Sequence, residues 1–91
     1  CLCVNANVEL APRDLMVAET LRDHHQRMEM LLAATLQRAV AMRELPARTD
    51  CSSLATFLLG AVVAINVLGK QRATKKQLQA MVDHALAALE R

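Results

Sequence analysis

Two stretches of the chain place apolar residues three and four positions apart, the spacing that gathers them on one face of a helix. The longer stretch runs from about residue 15 to 44, and its opposite face carries charged side chains. The shorter runs from about residue 75 to 90 and follows Thr74 and Gln77, which form the signature of a capping box. Its apolar stripe consists of Leu78, Met81, Val82, Ala85, Leu86 and Leu89. Both stretches are predicted to be amphipathic helices.

The segment between them is apolar all round instead of on one face. The 15 residues 54–68 are apolar except for Thr56, Gly60 and Asn66. Such a helix is either a buried central helix or a membrane span. This run is shorter than the ~20 residues that cross a bilayer, and it contains an asparagine. A buried helix over about residues 51–70, capped by Thr49 or Asp50, is therefore expected, with no membrane contact.

Proline and aspartate residues mark the remaining boundaries. A short helix at about residues 2–10 ends before Ala11-Pro12, because a residue that precedes proline disfavours the helical conformation. Asp14 offers an N-cap oxygen to the long helix, and Leu45-Pro46 stops that helix. The sequence thus predicts an all-α fold, an antiparallel bundle of four helices at about 2–10, 15–44, 51–70 and 75–90.

Small residues follow one side of the third predicted helix. Gly60 and Ala64 are four positions apart, and Phe57, Ala61 and Leu68 extend the same stripe. Small residues at this spacing allow a second helix to approach closely. The other interpretation is that Gly60 simply fits against a neighbour within the chain, and the pattern alone leaves both open.

Composition and net charge limit the possible fold classes and the possible binding partners. The chain has 91 residues, 54% of them hydrophobic, with one aromatic residue, two Gly and two Pro. This excludes disordered and collagen-like chains, and it favours one helical domain over a β-sandwich. The net charge is only +2. Without a basic stripe, nucleic-acid binding by this part of the protein is not expected.

Three cysteines, an odd number, favour free thiols in a reducing cytosol over a disulfide framework. The chain begins with Cys1 instead of Met, so we expect it to belong to a longer protein.

Few residues are spaced for chemistry. His25 and Glu29 are four apart and could supply two metal ligands, but no third ligand is tied to them. One of the adjacent His24 and His25 is expected to face solvent and the other to line the bundle or a pocket. No nucleophile with a base, paired carboxylates or phosphate loop is evident, so we predict no enzyme, no metal and no cofactor.

Four segments in order resemble one known family, the tetracycline-repressor-like (TetR family) transcriptional regulators. They are the opening CLCVNANVELAPRD, the RELP turn at residues 43–46, the helix that begins after Asp50, and DHAL at residues 83–86. The resemblance spans nearly the whole chain. It implies that residues 1–91 are the last four helices of a bacterial regulator's C-terminal domain, which binds a small effector and forms homodimers in the cytoplasm. DNA would be bound only by a helix-turn-helix domain N-terminal to this chain.

The resemblance also implies where the sites lie. The first two helices would form part of the effector pocket, lined by Asn5, Glu9, His25 and Met28. The last two helices would pack against their dimer mates as a four-helix bundle. Its face would comprise Phe57, Gly60, Ala61, Ala64, Leu68, Leu78, Met81, Val82, Ala85 and Leu89.

Two alternatives remain open at this point. The chain could be a free-standing helical interaction module that binds no ligand. It could also be a cytosolic metal or thiol sensor that uses Cys1, Cys3 and the His24–His25 pair. On a helix, however, Cys1 and Cys3 point about 200° apart and cannot chelate one ion together.

Overall fold

The fold consists of helices joined by short turns. A computed structural model describes the backbone of residues 2–90 and the side chains of residues 5–89. The elements are α1 (Leu2–Glu9), α2 (Leu15–Ala41), α3 (Cys51–Lys70) and α4 (Lys75–Ala87), followed by a 3₁₀ turn at Ala88–Glu90. Within the described backbone there is no β-strand. The predicted all-α bundle of four helices is confirmed.

Side-chain caps explain where the helices begin. The Asp14 carboxylate accepts hydrogen bonds from the backbone N–H groups of Met16 and Val17 at 2.9 and 3.2 Å. Asp50 accepts from the N–H of Ser53 at 3.1 Å. The predicted capping box is also present: the Gln77 N–H donates to Thr74 Oγ1, and the Thr74 N–H donates to Gln77 Oε1. Each cap satisfies amide groups that the first helical turn leaves without partners.

The helix ends differ slightly from the prediction. Helix α2 stops at Ala41, about three residues early, because Arg43 turns into the left-handed region with φ 62°. The Glu44 N–H then donates to Ala39 O at 2.8 Å, and the Arg43 N–H donates to Val40 O at 3.0 Å. This pair of bonds is a Schellman motif, which usually has glycine in the left-handed position.

Helix α3 ends in the same way. Arg72 has φ 60°, and the Ala73 N–H donates to Leu68 O at 3.1 Å. The last element also ends earlier than expected, because α4 tightens into the 3₁₀ turn after Ala87. Such tightening satisfies terminal carbonyl groups with i→i+3 bonds.

The core is small and lies where the C-terminal part of α2 meets the N-terminal part of α3. Its centre is Leu36, Cys51 and Ala55, and Ala55 is fully buried. Partly buried residues pack around it: Leu32, Ala33, Val40, Leu45, Leu54, Leu58 and Leu89. The contact with Leu89 brings the end of the chain back onto this cluster.

The helices form a flat slab that leaves much of its surface in water. It measures 44 × 33 × 14 Å, and its radius of gyration is 15.1 Å. A compact domain of this length has a radius of gyration of about 12 Å. The accessible surface is 7058 Å², whereas a folded monomer of this mass exposes about 5,200 Å². The slab therefore exposes more surface than a compact domain of its mass.

Helix α3 lies between α2 and α4, which agrees with its predicted central position. It is 20 residues long, and by length and composition alone it could cross a membrane. The sequence argument against a membrane span used only the 15-residue apolar run within this helix. The length of the whole helix therefore does not exclude a membrane span. Only 11% of its most apolar window is buried within the chain. The expected burial of α3 is thus incomplete in a single chain.

Candidate ligand groove and dimer face

A groove of about 480 Å³ runs between the end of α1 and the first half of α2. The turn after α1 creates it, because the N–H groups of Arg13 and Asp14 both donate to Leu10 O at 2.9 Å. Asp14 then starts α2. The groove has a floor of small and aliphatic side chains and a polar wall: Asn7, Ala11, Ala18, Leu21, Arg22, His25, Gln26 and Glu29.

A hydrogen-bonded pair of side chains lies on the polar wall of this groove. His25 Nε2 and Glu29 Oε1 are 3.0 Å apart, one helical turn from each other on α2. Glu29 is the less exposed partner, with 29% of its side chain accessible against 48% for His25. Arg22 adds a cation one turn earlier. The wall thus offers both a hydrogen-bond acceptor and donors to a small polar molecule.

The structure brings one of the four predicted ligand residues, His25, to the groove. Asn5 is half-buried, Glu9 is exposed and Met28 is 41% exposed, and none of these three lines the groove. From α1 the groove uses Asn7, which lies two positions from Asn5 and so about 200° around the helix. Both histidines of the adjacent pair are exposed, and His25, not His24, lines the groove.

Four polar groove residues are absent from the predicted ligand set: Asn7, Arg22, Gln26 and Glu29, the last of which was considered only as a metal ligand. Arg22, Gln26 and Glu29 follow each other at steps of four and three, so they form a polar stripe along α2. That stripe was visible in the sequence. The side of α1 that faces it was not, because α1 has no clear apolar face from which its orientation could be inferred.

The predicted dimer face on α3 is partly open to solvent. Phe57 is 49% exposed and Gly60 is exposed, while Ala61, Ala64 and Leu68 are half-buried. Two valines outside the predicted set are exposed as well, Val62 by 54% and Val63 by 41%. Much of the apolar surface of α3 therefore has no cover within the chain.

Gly60 has no close neighbour within the chain. A Cβ atom built on Gly60 would meet no atom within 4 Å. The alternative that Gly60 is small in order to fit an intramolecular neighbour is therefore wrong.

The predicted dimer-face residues on α4 are more buried within their own chain than Phe57 and Gly60 on α3. Ala85 is buried, and Leu89 packs against the core cluster. Leu78, Met81 and Val82 are half-buried, whereas Leu86 is 55% exposed. The dimer role of these residues stays a prediction.

The described side chains form no cluster suited to metal binding. Among the described side chains, no three His, Cys, Asp or Glu residues lie close enough together to hold a metal ion. Cys51 is a buried free thiol whose Sγ lies 3.8 Å from Thr49 O. The side chains of Cys1 and Cys3 lie outside the described residues.

Two further clefts lie along α3 and α4. One, of about 670 Å³, opens where the start of α3 meets the end of α4, and Arg48, Asp50, Phe57 and His84 line it. The other, of about 510 Å³, lies in the turn that joins the two helices. His84 borders both.

Comparison with known proteins identifies the domain. Curated proteins and solved structures give no significant match to this chain. The family described as "Tetracyclin repressor-like, C-terminal domain" matches residues 1–85. The match covers all four helices up to the last turn of α4. The chain therefore belongs to the tetracycline-repressor-like C-terminal domain family, whose members are parts of transcriptional regulators.

Proposed function

We propose that this chain is the ligand-sensing and homodimerisation region of a bacterial, cytoplasmic transcriptional regulator. A small molecule bound by the region would change the affinity for operator DNA of a helix-turn-helix domain outside this chain. The ligand would act by favouring one of two conformations to which it binds with different affinity. The two conformations would hold a pair of such domains at different spacings, and only one of these spacings would match the two half-sites on the operator.

The main observation in support of homodimerisation is the apolar surface of α3 that the chain leaves exposed. The chain exposes roughly 1,800 Å² more surface than a folded monomer of its mass. A standard protein interface covers about 800 Å² on each partner, so one interface accounts for a large part of this excess. Gly60, which has open space around it, lies in the middle of the face and leaves room for a partner helix.

The ligand-binding part rests on the groove between α1 and α2. Its volume of about 480 Å³ suits a small molecule. Because its wall includes the His25–Glu29 pair and Arg22, polar or charged effectors fit it better than purely apolar ones. Further parts of the parent protein would complete the pocket.

The two glycines of α3 provide a matched test of dimerisation. Light scattering on the reduced chain should give about twice its mass of 10.0 kDa. Gly60→Glu should reduce this to the monomer mass, because a charged side chain would be forced into the partner helix. Within the chain the new side chain has open space, so circular dichroism should show unchanged helicity. Ala64→Glu is a second variant in the same stripe.

Gly69→Glu is the control, because Gly69 also has open space around it but lies outside the predicted face. This variant should remain a dimer. A Gly60→Glu protein that stays dimeric would show that the dimer uses another face. A monomeric Gly69→Glu protein would show that any charge added to α3 has the same effect.

A further inference from the structure

We propose that the cleft in the α3–α4 turn, here called the turn cleft, is a second small-molecule site that takes an amphipathic anion. The ligand class is a carboxylate, sulfonate or phosphate monoester with a short apolar body. The site shares no lining residue with the groove between α1 and α2. It therefore goes beyond the effector binding proposed above. Leu68 and Met81 also belong to the predicted dimer face, so binding is tested on the Gly60→Glu variant, expected to be monomeric, as well as on the original chain.

The floor of the turn cleft is apolar. Leu68 comes from the end of α3, Ala73 from the turn, and Ala80 and Met81 from the second turn of α4. The Schellman bond from the Ala73 N–H to Leu68 O holds the two sides of this floor together. With about 510 Å³ and a largely apolar lining, the cleft has the size and character of a small-molecule pocket.

The polar groups on the rim are biased toward hydrogen-bond donors. Arg72 contributes a guanidinium group, which has five donors and no acceptor. The side-chain oxygen of Gln77 already accepts the Thr74 N–H at 2.8 Å, so the free end of this amide is its NH₂ group. Gln71 and His84 complete the rim. No carboxylate lines the cleft.

The charge around the cleft is mostly positive. Lys70, Lys75 and Lys76 flank Arg72 and are exposed. The acidic residue beside the cleft is Asp83, whose carboxylate accepts a hydrogen bond from the Gln79 amide at 2.9 Å. Among the described side chains, none of these four cations has a carboxylate within ion-pair distance. An apolar floor under a donor rim in a positive field selects a molecule that is anionic at one end and apolar at the other.

Octanoate is a suitable probe, and the readout is isothermal titration or chemical-shift perturbation on the whole chain. We expect octanoate to bind with a dissociation constant below about 10 mM. Octan-1-ol lacks the charge and acetate lacks the apolar body, so both should bind at least about fivefold more weakly. The largest shifts should fall on residues 68–84.

Arg72→Gly is the decisive variant, because glycine adopts the left-handed conformation of this position more easily than arginine. The variant should fold at least as stably as the original chain and bind octanoate about fivefold more weakly. Arg43→Gly is the matched control: Arg43 has the same place at the end of α2 but lies outside the cleft, so binding should not change. Ala80→Glu, which adds a carboxylate to the floor, should abolish binding.

Four outcomes would overturn the proposal. Octanoate could fail to bind, or octan-1-ol could bind as tightly as octanoate, which would indicate only general apolar adsorption. Arg72→Gly could bind octanoate as the original chain does. The loss could also be the same in Arg43→Gly, which would mean that total positive charge matters and the cleft does not.

Discussion

Helices α2 and α3 begin and end alike but present different surfaces. Each starts at an aspartate cap, Asp14 or Asp50, and each ends in a Schellman motif with an arginine in the left-handed position. Along their lengths they diverge: α2 has charged residues over much of its surface, whereas α3 carries no charged residue before Lys70. Local capping signals thus set the length of a helix, while the side-chain pattern decides what covers it.

The difference determines which role each helix can have. The charged side of α2 tolerates water and lines a polar groove with His25 and Glu29. Much of the apolar surface of α3 remains exposed after α2 and α4 have packed against it. The proposed division, ligand binding in one half and assembly in the other, rests on this difference.

The largest expected effect comes from breaking the contact between these two helices. Leu36→Ala should lower the free energy of unfolding by about 2 kcal/mol, because Leu36 is 7% exposed and packs against Cys51 and Ala55. Leu31→Ala, on the same helix but at a position that is 65% exposed, should change it by less than about 0.5 kcal/mol. Urea unfolding at one fixed protein concentration measures both. Equal losses would show that Leu31 is also covered in solution.

Removing the aspartate caps that α2 and α3 share should lower the free energy of unfolding by a smaller amount. Asp14→Ala and Asp50→Ala should each cost about 1 kcal/mol, because each variant leaves helix-terminal N–H groups without a side-chain acceptor. Asp23→Ala is the control, since Asp23 lies inside α2, where alanine is the better helix former. It should be neutral or stabilising by the same urea measurement. A loss in Asp23→Ala as large as in the cap variants would attribute the effect to net charge instead.

The smallest expected effect is a gain in stability when glycine replaces the left-handed arginine at the end of α2. Arg43→Gly should raise the free energy of unfolding by about 0.5 kcal/mol, because glycine adopts φ 62° without a Cβ clash. The gain is reduced by the loss of a cation near the negative end of α2. Arg38→Gly, in the last turn of the same helix, should instead cost about 1 kcal/mol. A loss in Arg43→Gly would mean that its side chain stabilises the turn more than its backbone strains it.

The orientation of a helix can be predicted from the sequence only where its apolar residues lie on one side. Helix α4 has a clean stripe and a capping box, so its start and its apolar side are found from spacing alone. Spacing did not show that Ala85, assigned to the dimer face, is buried within its own chain. Helix α3 is apolar on every side, so periodicity cannot show which residues stay exposed, and Val62 and Val63 were not anticipated. Arg43 and Arg72 stop their helices at positions where the sequence shows no glycine.

The candidate site was less predictable than the fold for the same reason. Asn5 and Glu9 share one side of α1, but the groove uses Asn7. The turn between α1 and α2 orients α1, and that orientation depends on backbone bonds to Leu10 O, which no side-chain pattern encodes. On α2 the structure places His25 in the groove and Met28 outside it, and the ligand role of both stays a prediction.

The flat shape of the slab has a consequence for how the protein responds to heat. A lone slab that measures 44 × 33 × 14 Å exposes more surface than a compact monomer of its mass, so its unfolding newly hydrates about 7,400 Å² instead of about 9,300 Å². Its heat-capacity increment on unfolding should therefore be about a fifth lower than that of a compact domain. Once two slabs associate, the area hidden between them joins the same transition, and the melting temperature rises with protein concentration. Calorimetry of a dilution series would then record assembly and folding as one event.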